Sequence, residues 1–267
     1  MIPIAVVIMT KNEALRLPAC LASLQNQFAE VFVVDSNSDD DTAEIARANG
    51  AVVVNFTWQR SYPKKKQWGM ENLPATSDWM LYLDADERVT PELISELREL
   101  MRGNLDDYGA FWVAADPIWQ GRRLRHGQSN NKICLKHRRR VQFPVIDDLD
   151  TPKNEVEGHY QPNVTGRTGV LKSRMTHDCD PITGWFRRHV HYAEVAAIMS
   201  QRNLAQHEIG FRARCKKLFY QLPLQGLIIF LYGYVWRLGF LDGRAGFDYA
   251  AARGWYYELT ALFKRKI

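Results

Sequence analysis

The fold is decided by residues 2–35, which read IPIAVVIMTKNEALRLPACLASLQNQFAEVFVVD. The run Ile2–Met9 is rich in Val and Ile and is continuously apolar, which is typical of a strand covered on both faces of a parallel sheet. Leucines then recur at helical spacing from Leu15 to Leu24, and a second apolar run ends at Asp35. The stretch therefore predicts a β-α-β unit with two parallel strands.

The alternation of strands and helices continues along the chain. The next predicted elements are a helix ending at Gly50, a strand at Ala51–Phe56, a helix at Lys64–Asn72, a strand at Trp79–Leu83, a helix starting at Thr90-Pro91 and a strand at Tyr108–Ala114. The stretch Asp116–Gln161 predicts strands and long loops, and from Pro181 onward the pattern is helical. We therefore expect an α/β fold with a doubly wound, mainly parallel sheet over residues 1–180, followed by a helical region over 181–267.

The composition allows a folded protein with a large core. The chain has 267 residues, of which 46% are hydrophobic and 24% are charged, so disorder is not expected as its main state. The four cysteines form no CxxC pair, which indicates reduced thiols and argues against a disulfide framework or a zinc site. The N-terminal run lacks a basic region and a small-residue cleavage site, so we interpret it as a buried strand and not as a signal peptide.

The formal net charge is +5, and four basic runs lie beyond residue 120. The basic runs are Arg122–Arg125, Lys136–Arg140, Arg212–Lys217 and Lys264–Lys266. Such runs fit nucleic acid, anionic lipid or a phosphorylated substrate, and composition does not choose between these partners. Within the second run, Arg138–Arg140 is a candidate for binding phosphate, and a solvated run of charges is the other interpretation.

One strongly apolar segment, LFYQLPLQGLIIFLYGYVWRLGFL at residues 218–241, has the length needed to cross a bilayer. Gln221 and Arg237 interrupt this segment, and Lys216 and Lys217 precede it. These features favour a helix or helix pair that lies in the interface of an anionic membrane over one that spans it. An amphipathic helix packed against the α/β domain is the other interpretation.

The acidic pair Asp84 and Asp86 carries the most chemical information. The pair follows a predicted buried strand, and open α/β sheets bind ligands at the carboxyl ends of their strands. Two carboxylates one residue apart at that place can hold a divalent ion, which in turn binds a diphosphate. The other interpretation is a pair of strand-end acids in a solvated turn.

Further polar residues end the first two predicted strands. Asp35 ends the second strand, where a carboxylate can accept hydrogen bonds from a ribose or a base. Thr10, Asn12 and Glu13 end the first strand and either line the same site or cap the following helix. The sequence has no GxGxxG and no GxxxxGK[ST], which disfavours a dinucleotide site and a P-loop.

Three stretches resemble, in order and spacing, the family 2 glycosyltransferases of the GT-A fold. They are VVIMTKNEALRLPACLASL at 6–24, VFVVDSNSDDDTAEIA at 31–46 and KKKQWGMENLPATSDWMLYLDADERVTPEL at 64–93. The later stretches WFRRHVHYAE and WRLGFLDGRAGFDYA are similar to the bacterial branch that builds lipopolysaccharide core and other surface polysaccharides. The resemblance covers most of the chain.

The resemblance implies a role for each of these residues. The turn Thr10–Glu13 and Asp35 would hold the nucleotide, and Lys66 would lie near its base or phosphates. Asp84 and Asp86 would bind Mg²⁺ or Mn²⁺ on the diphosphate of a nucleotide-sugar donor, with UDP as the expected nucleotide. The reaction would be inverting, with a carboxylate that deprotonates the acceptor hydroxyl.

The second half of the fold is expected to supply this base. Relatives commonly have a His-Glu pair in the region, whereas here Glu157 precedes His159. We predict Glu157 as the base, with Glu155 as the alternative, and two surface acids as the remaining interpretation. His177 is a candidate third metal ligand, and a polar residue satisfied in a turn is the other interpretation.

Two further functions compete with the transferase. A nucleotidyltransferase of related fold usually has a glycine-rich loop after the first strand, and Thr10–Glu13 stands there instead. A non-catalytic protein that binds a membrane surface or nucleotides fits the basic runs, but Asp84 and Asp86 would repel nucleic acid. We therefore expect a transferase that acts on a lipid-linked or lipopolysaccharide acceptor at the cytoplasmic face of a bacterial inner membrane, and no nucleic-acid partner.

Overall fold

The computed structural model describes residues 1–146, 148–149, 155–157, 161–202, 218–219 and 222–266. Outside these residues lie His159, Cys215 and the basic run Arg212–Lys217 of the sequence analysis. The chain divides into two compact units by its internal contacts. The first unit comprises Met1–Ala115, Asn131–Val145 and Glu155–His177, and the second comprises Asp116–Asn130, Ile146–Asn154 and Asp178–Ile267. The domain boundary expected at residue 180 stays a prediction.

The first unit begins with the predicted alternation of strands and helices. Its elements are β1 (Ile2–Thr10), α1 (Leu17–Ser23), β2 (Phe28–Asp35), α2 (Thr42–Ala48), β3 (Val52–Asn55), α3 (Lys65–Asn72) and β4 (Trp79–Asp84). The four strands lie in the order β3-β2-β1-β4, and all their pairings are parallel. The predicted α/β fold is confirmed, and each predicted element up to β4 is present within a few residues of its expected bounds.

The rest of the sheet is mixed. It is built from β5 (Glu87–Arg88), α4 (Pro91–Leu100), β6 (Tyr108–Trp119), β7 (Arg122–Arg123), β8 (Asn130–His137) and β11 (Arg167–Asp178), with β9 (Val141–Gln142) and β10 (Asn163–Val164) as a separate small sheet. The large sheet continues in the order β4-β8-β6-β11-β5. Strands β8 and β4 are antiparallel, and so are β5 and β11. Parallel pairing is therefore described only on the side of β1–β4, and β6 runs further than its predicted end at Ala114.

Burial on both faces explains why β1 reads as a continuous apolar run. Ile4, Val6 and Ile8 pack into one buried cluster, while Ala5 and Val7 pack into another. All five side chains are fully buried. A strand between two packed layers has no polar face, so its sequence does not alternate.

The second unit is mainly helical. It contains α5 (Ile182–Gln201), α6 (Gln225–Leu231), a π-helical turn (Tyr232–Trp236), a 3-10 turn (Gly239–Asp242) and α7 (Gly243–Lys266). Trp119, Trp185 and Tyr249 form the centre of its core with T-shaped ring contacts. In the described part of the segment predicted as a helix or helix pair at 218–241, the short helix Gln225–Leu231 is followed by turns. Among the helices described, none is both long and apolar enough to cross a membrane.

Candidate functional site

Parallel register brings the predicted strand-end residues together. Thr10 pairs with Asp35 across β1 and β2, and Met9 pairs with Asp84 across β1 and β4. The carboxyl ends of three adjacent strands therefore carry Thr10, Asp35 and Asp84 at one edge of the sheet. This edge is where open α/β sheets form ligand sites.

The Asp35 carboxylate is held in a fixed orientation. Its Oδ1 accepts hydrogen bonds from Thr10 Oγ1 at 2.7 Å and from Ser38 Oγ at 2.6 Å, and its Oδ2 accepts one from the Ser38 amide at 2.7 Å. Only 2% of the residue is exposed. Three donors on a buried carboxylate offset the cost of removing it from water. Asp35 thereby fixes the loop that follows β2.

The turn after β1 is joined to this loop. Asn12 has a left-handed φ of 55°. Its backbone N–H donates to Ser38 Oγ at 2.8 Å, and its side-chain oxygen accepts from the Asp39 backbone N–H at 2.9 Å. The Glu13 amide donates to Thr42 Oγ1 at 2.8 Å. The residues expected to hold a nucleotide thus form one hydrogen-bonded wall, in which Asn12 and Glu13 link the turn to the following loop and helix.

Asp84 and Glu87 share one lysine. Lys132 Nζ lies 2.5 Å from Asp84 Oδ2 and 2.8 Å from Glu87 Oε2, and the same Glu87 oxygen accepts the Asp84 amide at 3.0 Å. Burial alone would raise the pKa of Asp84, but attraction to Lys132 and then Lys66 outweighs it and holds that pKa below its usual value. For Glu87, whose side chain is only 2% exposed, burial dominates and raises the pKa.

Asp86 faces two other basic groups. Its Oδ2 lies 3.5 Å from His177 Nε2 and 3.5 Å from the Arg16 guanidinium. Arg16 also pairs with Glu13 at 2.7 Å, so it links the turn after β1 to Asp86 at the end of β4. Burial opposes ionisation of Asp86, but the hydrogen bond and charge of His177 lower its pKa overall. The structure thus brings His177 to Asp86, as its candidate role requires.

The donor set fits a divalent ion that binds together with a substrate. Within the described part of the chain, no cluster of three or more His, Cys, Asp or Glu side chains has the arrangement of a metal site. Mg²⁺, however, usually takes one or two carboxylates and completes its shell with water and phosphate oxygens. Asp84, with 49% of its side chain exposed, and Asp86 beside His177 supply ligands of this kind. Their role as metal ligands stays a prediction.

Glu157 caps the first turn of α3. Its Oε2 accepts the Lys66 amide at 2.7 Å, and its Oε1 accepts the Gln67 amide at 2.8 Å. The residue is 1% exposed. Both oxygens therefore satisfy helix N–H groups that have no partner inside the helix. The prediction that Glu157 is the base is not tested by this geometry, but the geometry does not favour it.

Glu155 lies against the strand-end loops. Its Oε1 accepts a hydrogen bond from Ser36 Oγ at 2.6 Å and lies 3.9 Å from Lys65 Nζ. Its side chain is 28% exposed, so it stays in contact with solvent. Of the two predicted bases, Glu155 is the one with an accessible carboxylate.

Lys65 is a site residue that sequence reasoning missed. Its Nζ donates to the Thr10 carbonyl at 2.7 Å and to Ser36 Oγ at 2.5 Å, with 1% of the residue exposed. Burial lowers the pKa of Lys65 to about 8. The predicted residue Lys66 instead donates from Nζ to the Glu157 carbonyl at 3.2 Å. The sequence signal was the run of three lysines at 64–66, and burial in the structure, which the sequence does not display, distinguishes Lys65 from the partly buried Lys66.

Arg138 holds the other end of α3. Its guanidinium donates to the carbonyls of Met70 at 3.1 Å, Leu73 at 3.3 Å and Ala75 at 2.9 Å. Arg140 donates to the Tyr108 carbonyl at 2.9 Å. Both guanidinium groups donate to backbone carbonyls. The run Arg138–Arg140 is therefore not fully solvated, and not all of its donors are available to bind phosphate.

Comparison with known proteins agrees with this architecture. Residues 5–159 match the model of Glycosyl transferase family 2. The match covers more than half of the chain, and the chain therefore belongs to glycosyl transferase family 2. A mannosyltransferase from Pyrobaculum calidifontis, solved in complex with GDP-Man and Mn²⁺, has a TM-score of 0.52 at 14% identity and covers 98% of this chain and 87% of that one. This likeness supports the GT-A fold.

Two similar proteins differ in how much of this chain they match. An uncharacterized glycosyltransferase of Rickettsia felis is 40% identical over 111 residues, which are 41% of this chain and 38% of the relative. The lipopolysaccharide core biosynthesis glycosyltransferase LpsC of Rhizobium meliloti is 26% identical over 261 residues, which are 93% of this chain and 89% of the relative. The chain thus matches less than half the length of the Rickettsia felis relative, and nearly the whole length of LpsC.

Proposed function

We propose that this protein is an inverting glycosyltransferase that moves a sugar from a nucleotide-sugar, most simply a UDP-sugar, to a lipid-linked or lipopolysaccharide acceptor in cell-envelope polysaccharide biosynthesis. The observation that carries the proposal is the register that aligns Thr10, Asp35 and Asp84 at the carboxyl ends of three parallel strands. Family membership supports sugar transfer. The name of the similar LpsC supports the acceptor class.

In the proposed mechanism, the wall formed by Asn12, Glu13 and Asp35 binds the nucleoside. Asp84 and Asp86 would hold Mg²⁺ or Mn²⁺, and the bound ion would supply positive charge to the diphosphate leaving group. An acceptor hydroxyl attacks the anomeric carbon from the opposite face, its proton passes to a carboxylate, and the bond from sugar to diphosphate breaks. We favour Glu155 as that carboxylate because it is accessible, and give Glu157 the role of positioning α3.

The test is a transfer assay with UDP-, GDP- and dTDP-sugars, with and without Mn²⁺, using membrane extract as acceptor. Turnover of one donor in the presence of metal supports the proposal and names the donor class. Folded protein that binds a nucleotide without turning over any donor would favour the non-catalytic alternative. Release of diphosphate from a nucleoside triphosphate would favour the nucleotidyltransferase.

Replacing Glu157 by glutamine separates the two roles of this side chain. Gln keeps one acceptor oxygen and turns an NH₂ group toward a backbone N–H, so we expect a loss of about 1–2 kcal/mol in the free energy of unfolding. Transfer should fall by less than about tenfold if Glu157 only positions α3. Loss of a general base would instead lower the rate by about 10²–10⁴-fold. Urea unfolding and initial rates measure the two effects, with Glu155→Gln as the matched variant. A large loss of rate in Glu157→Gln alone would return the base to Glu157.

We also propose that the second unit attaches the protein to the anionic cytoplasmic surface of the inner membrane. Its turns expose large apolar side chains, with Trp236 at 80%, Val235 at 53% and Leu241 at 54%. Arg244 lies in the same unit with 90% of its side chain exposed. Contiguous exposed apolar residues beside basic groups are typical of surfaces that insert among lipid headgroups.

The double variant Val235→Ser/Trp236→Ser is expected to weaken binding to vesicles that contain phosphatidylglycerol by about tenfold or more, because two exposed apolar side chains no longer enter the lipid. Flotation at several lipid concentrations measures the change. Leu15→Ser is the matched control, since Leu15 is 93% exposed in the first unit. Equal flotation of wild type and the double variant would contradict a membrane role for these turns.

A further inference from the structure

Lys132 is the nearest cation to the Asp84 carboxylate among the contacts described. It lies on β8, which pairs antiparallel with β4, and it reaches the end of β4 at Asp84. Its Nζ contacts Asp84 Oδ2 at 2.5 Å and Glu87 Oε2 at 2.8 Å. One ammonium therefore bridges two carboxylates, one of which is expected to bind metal.

The arrangement is electrostatically strong because one partner is inaccessible to water. The Glu87 side chain is 2% exposed and that of Lys132 is 27% exposed, while 49% of the Asp84 side chain is exposed. Charges at such distances interact far more strongly at a partly buried site than in bulk water. The contacts at 2.5 Å and 2.8 Å thus place the lysine ammonium between two carboxylates at the end of β4.

A divalent ion at Asp84 would meet this charge at close range. The ammonium contacts Asp84 Oδ2 at 2.5 Å, and its positive charge would repel a cation placed beside that carboxylate. When a diphosphate enters, its negative charges offer Lys132 an alternative partner and attract the ion. The two effects act in the same direction, so binding of the diphosphate and binding of the ion should favour each other.

We propose that Lys132 is the resident counter-cation of this site: it occupies Asp84 in the free protein, keeps the affinity for divalent metal low, and turns to the diphosphate when the nucleotide binds. Metal binding is thereby made dependent on the nucleotide. This inference rests on the proposed function for the identity of the diphosphate, but the competition between Lys132 and the ion rests on the contacts alone.

The experiment measures Mn²⁺ affinity of the full chain by electron paramagnetic resonance, with and without UDP and without any sugar acceptor. In wild type we expect UDP to tighten Mn²⁺ binding by about tenfold or more. In Lys132→Met and Lys132→Gln we expect Mn²⁺ to bind about tenfold or more tightly without UDP, because the competing charge is gone, and UDP to add less. Lys132→Arg should behave as wild type, and so should Lys172→Met, which removes an exposed lysine of β11.

Several results would overturn the inference. Unchanged or weaker Mn²⁺ binding in both neutral variants, or no effect of UDP on Mn²⁺ in wild type, would show that Lys132 does not compete with the ion. Mn²⁺ affinity that is unchanged in both Asp84→Asn and Asp86→Asn would show that the ion lies elsewhere. Thermal unfolding of each variant checks that it is folded, and wild type alone still tests the UDP effect. If Mn²⁺ binds more tightly to the neutral variants but wild type turns over no donor, the proposed function is wrong and the role of Lys132 stands.

Discussion

Replacing Asp86 by asparagine is expected to reduce sugar transfer by about a thousandfold, since losing a charged ligand of the ion removes about 4 kcal/mol of transition-state stabilisation. Asparagine has nearly the same shape, so the fold should persist. Asp86 stays ionised in the folded protein because the hydrogen bond and charge of His177 outweigh its burial, and they lower its pKa. Initial rates at saturating donor and Mn²⁺, together with the unfolding temperature, measure the two effects.

The matched control for this variant is Asp78→Asn. Asp78 pairs with Arg139 at 3.3 Å, with 46% of its side chain exposed, and it lies just before β4. The variant makes the same chemical change away from Asp84 and Asp86. It should retain the wild-type rate within about twofold, because surface ion pairs contribute little. If Asp86→Asn kept its activity while remaining folded, the assignment of Asp86 to the metal would be wrong.

The parallel half of the sheet was predictable because its physical cause is local. Strand β1 is buried on both faces, which requires an unbroken apolar run that the sequence displays directly. Strand β11 was not predicted, although it is as long as β6. Its sequence RTGVLKSRMTHD has Leu171 and Met175 as buried hydrophobic residues, and the remaining positions are largely polar or exposed. Because these two residues lie four positions apart, no two-residue alternation marks the stretch as a strand. Its pairing partner β5 also lies far away in sequence.

The same distinction applies to the candidate site. Strand-end acids such as Asp35 and Asp84 follow from topology, because parallel neighbours end at the same edge. Lys132 is 48 residues away from Asp84 along the chain and reaches it only because β8 inserts antiparallel beside β4. Glu157, which was predicted as a base, contacts amides 90 and 91 residues away. Such partners depend on tertiary pairing, which single-sequence patterns do not contain.

A buried lysine at the centre of the sheet gives the second large effect. Lys136 of β8 is 2% exposed, and its Nζ lies 4.2 Å from the centroid of the Tyr82 ring and 5.9 Å from that of Phe143. Burial, with added repulsion from Lys66 and Lys132, lowers the pKa of Lys136 from 10.5 to about 7. The aromatic faces return only about 1–2 kcal/mol to a desolvated cation.

The variant Lys136→Met is therefore expected to be more stable than wild type near pH 6, by about 2–4 kcal/mol in the free energy of unfolding. Between pH 7 and 10.5 the unfolded chain holds the Lys136 proton and the folded chain does not, so this group makes wild type more stable as pH rises. The advantage of the variant should shrink accordingly and fall below half at pH 9.5. Methionine has a similar length and packs well against aromatic rings.

Urea unfolding at pH 6 and pH 9.5 measures this difference, and Lys172→Met serves as the control because that lysine is exposed. The control should show no pH-dependent difference from wild type, because it removes a lysine that is already exposed to solvent in the folded protein. A Lys136→Met variant less stable than wild type at both pH values would mean that the ammonium is stabilised in the folded protein. The Lys136 ammonium would then increase the free energy of unfolding, and its burial would not lower the stability of the folded protein.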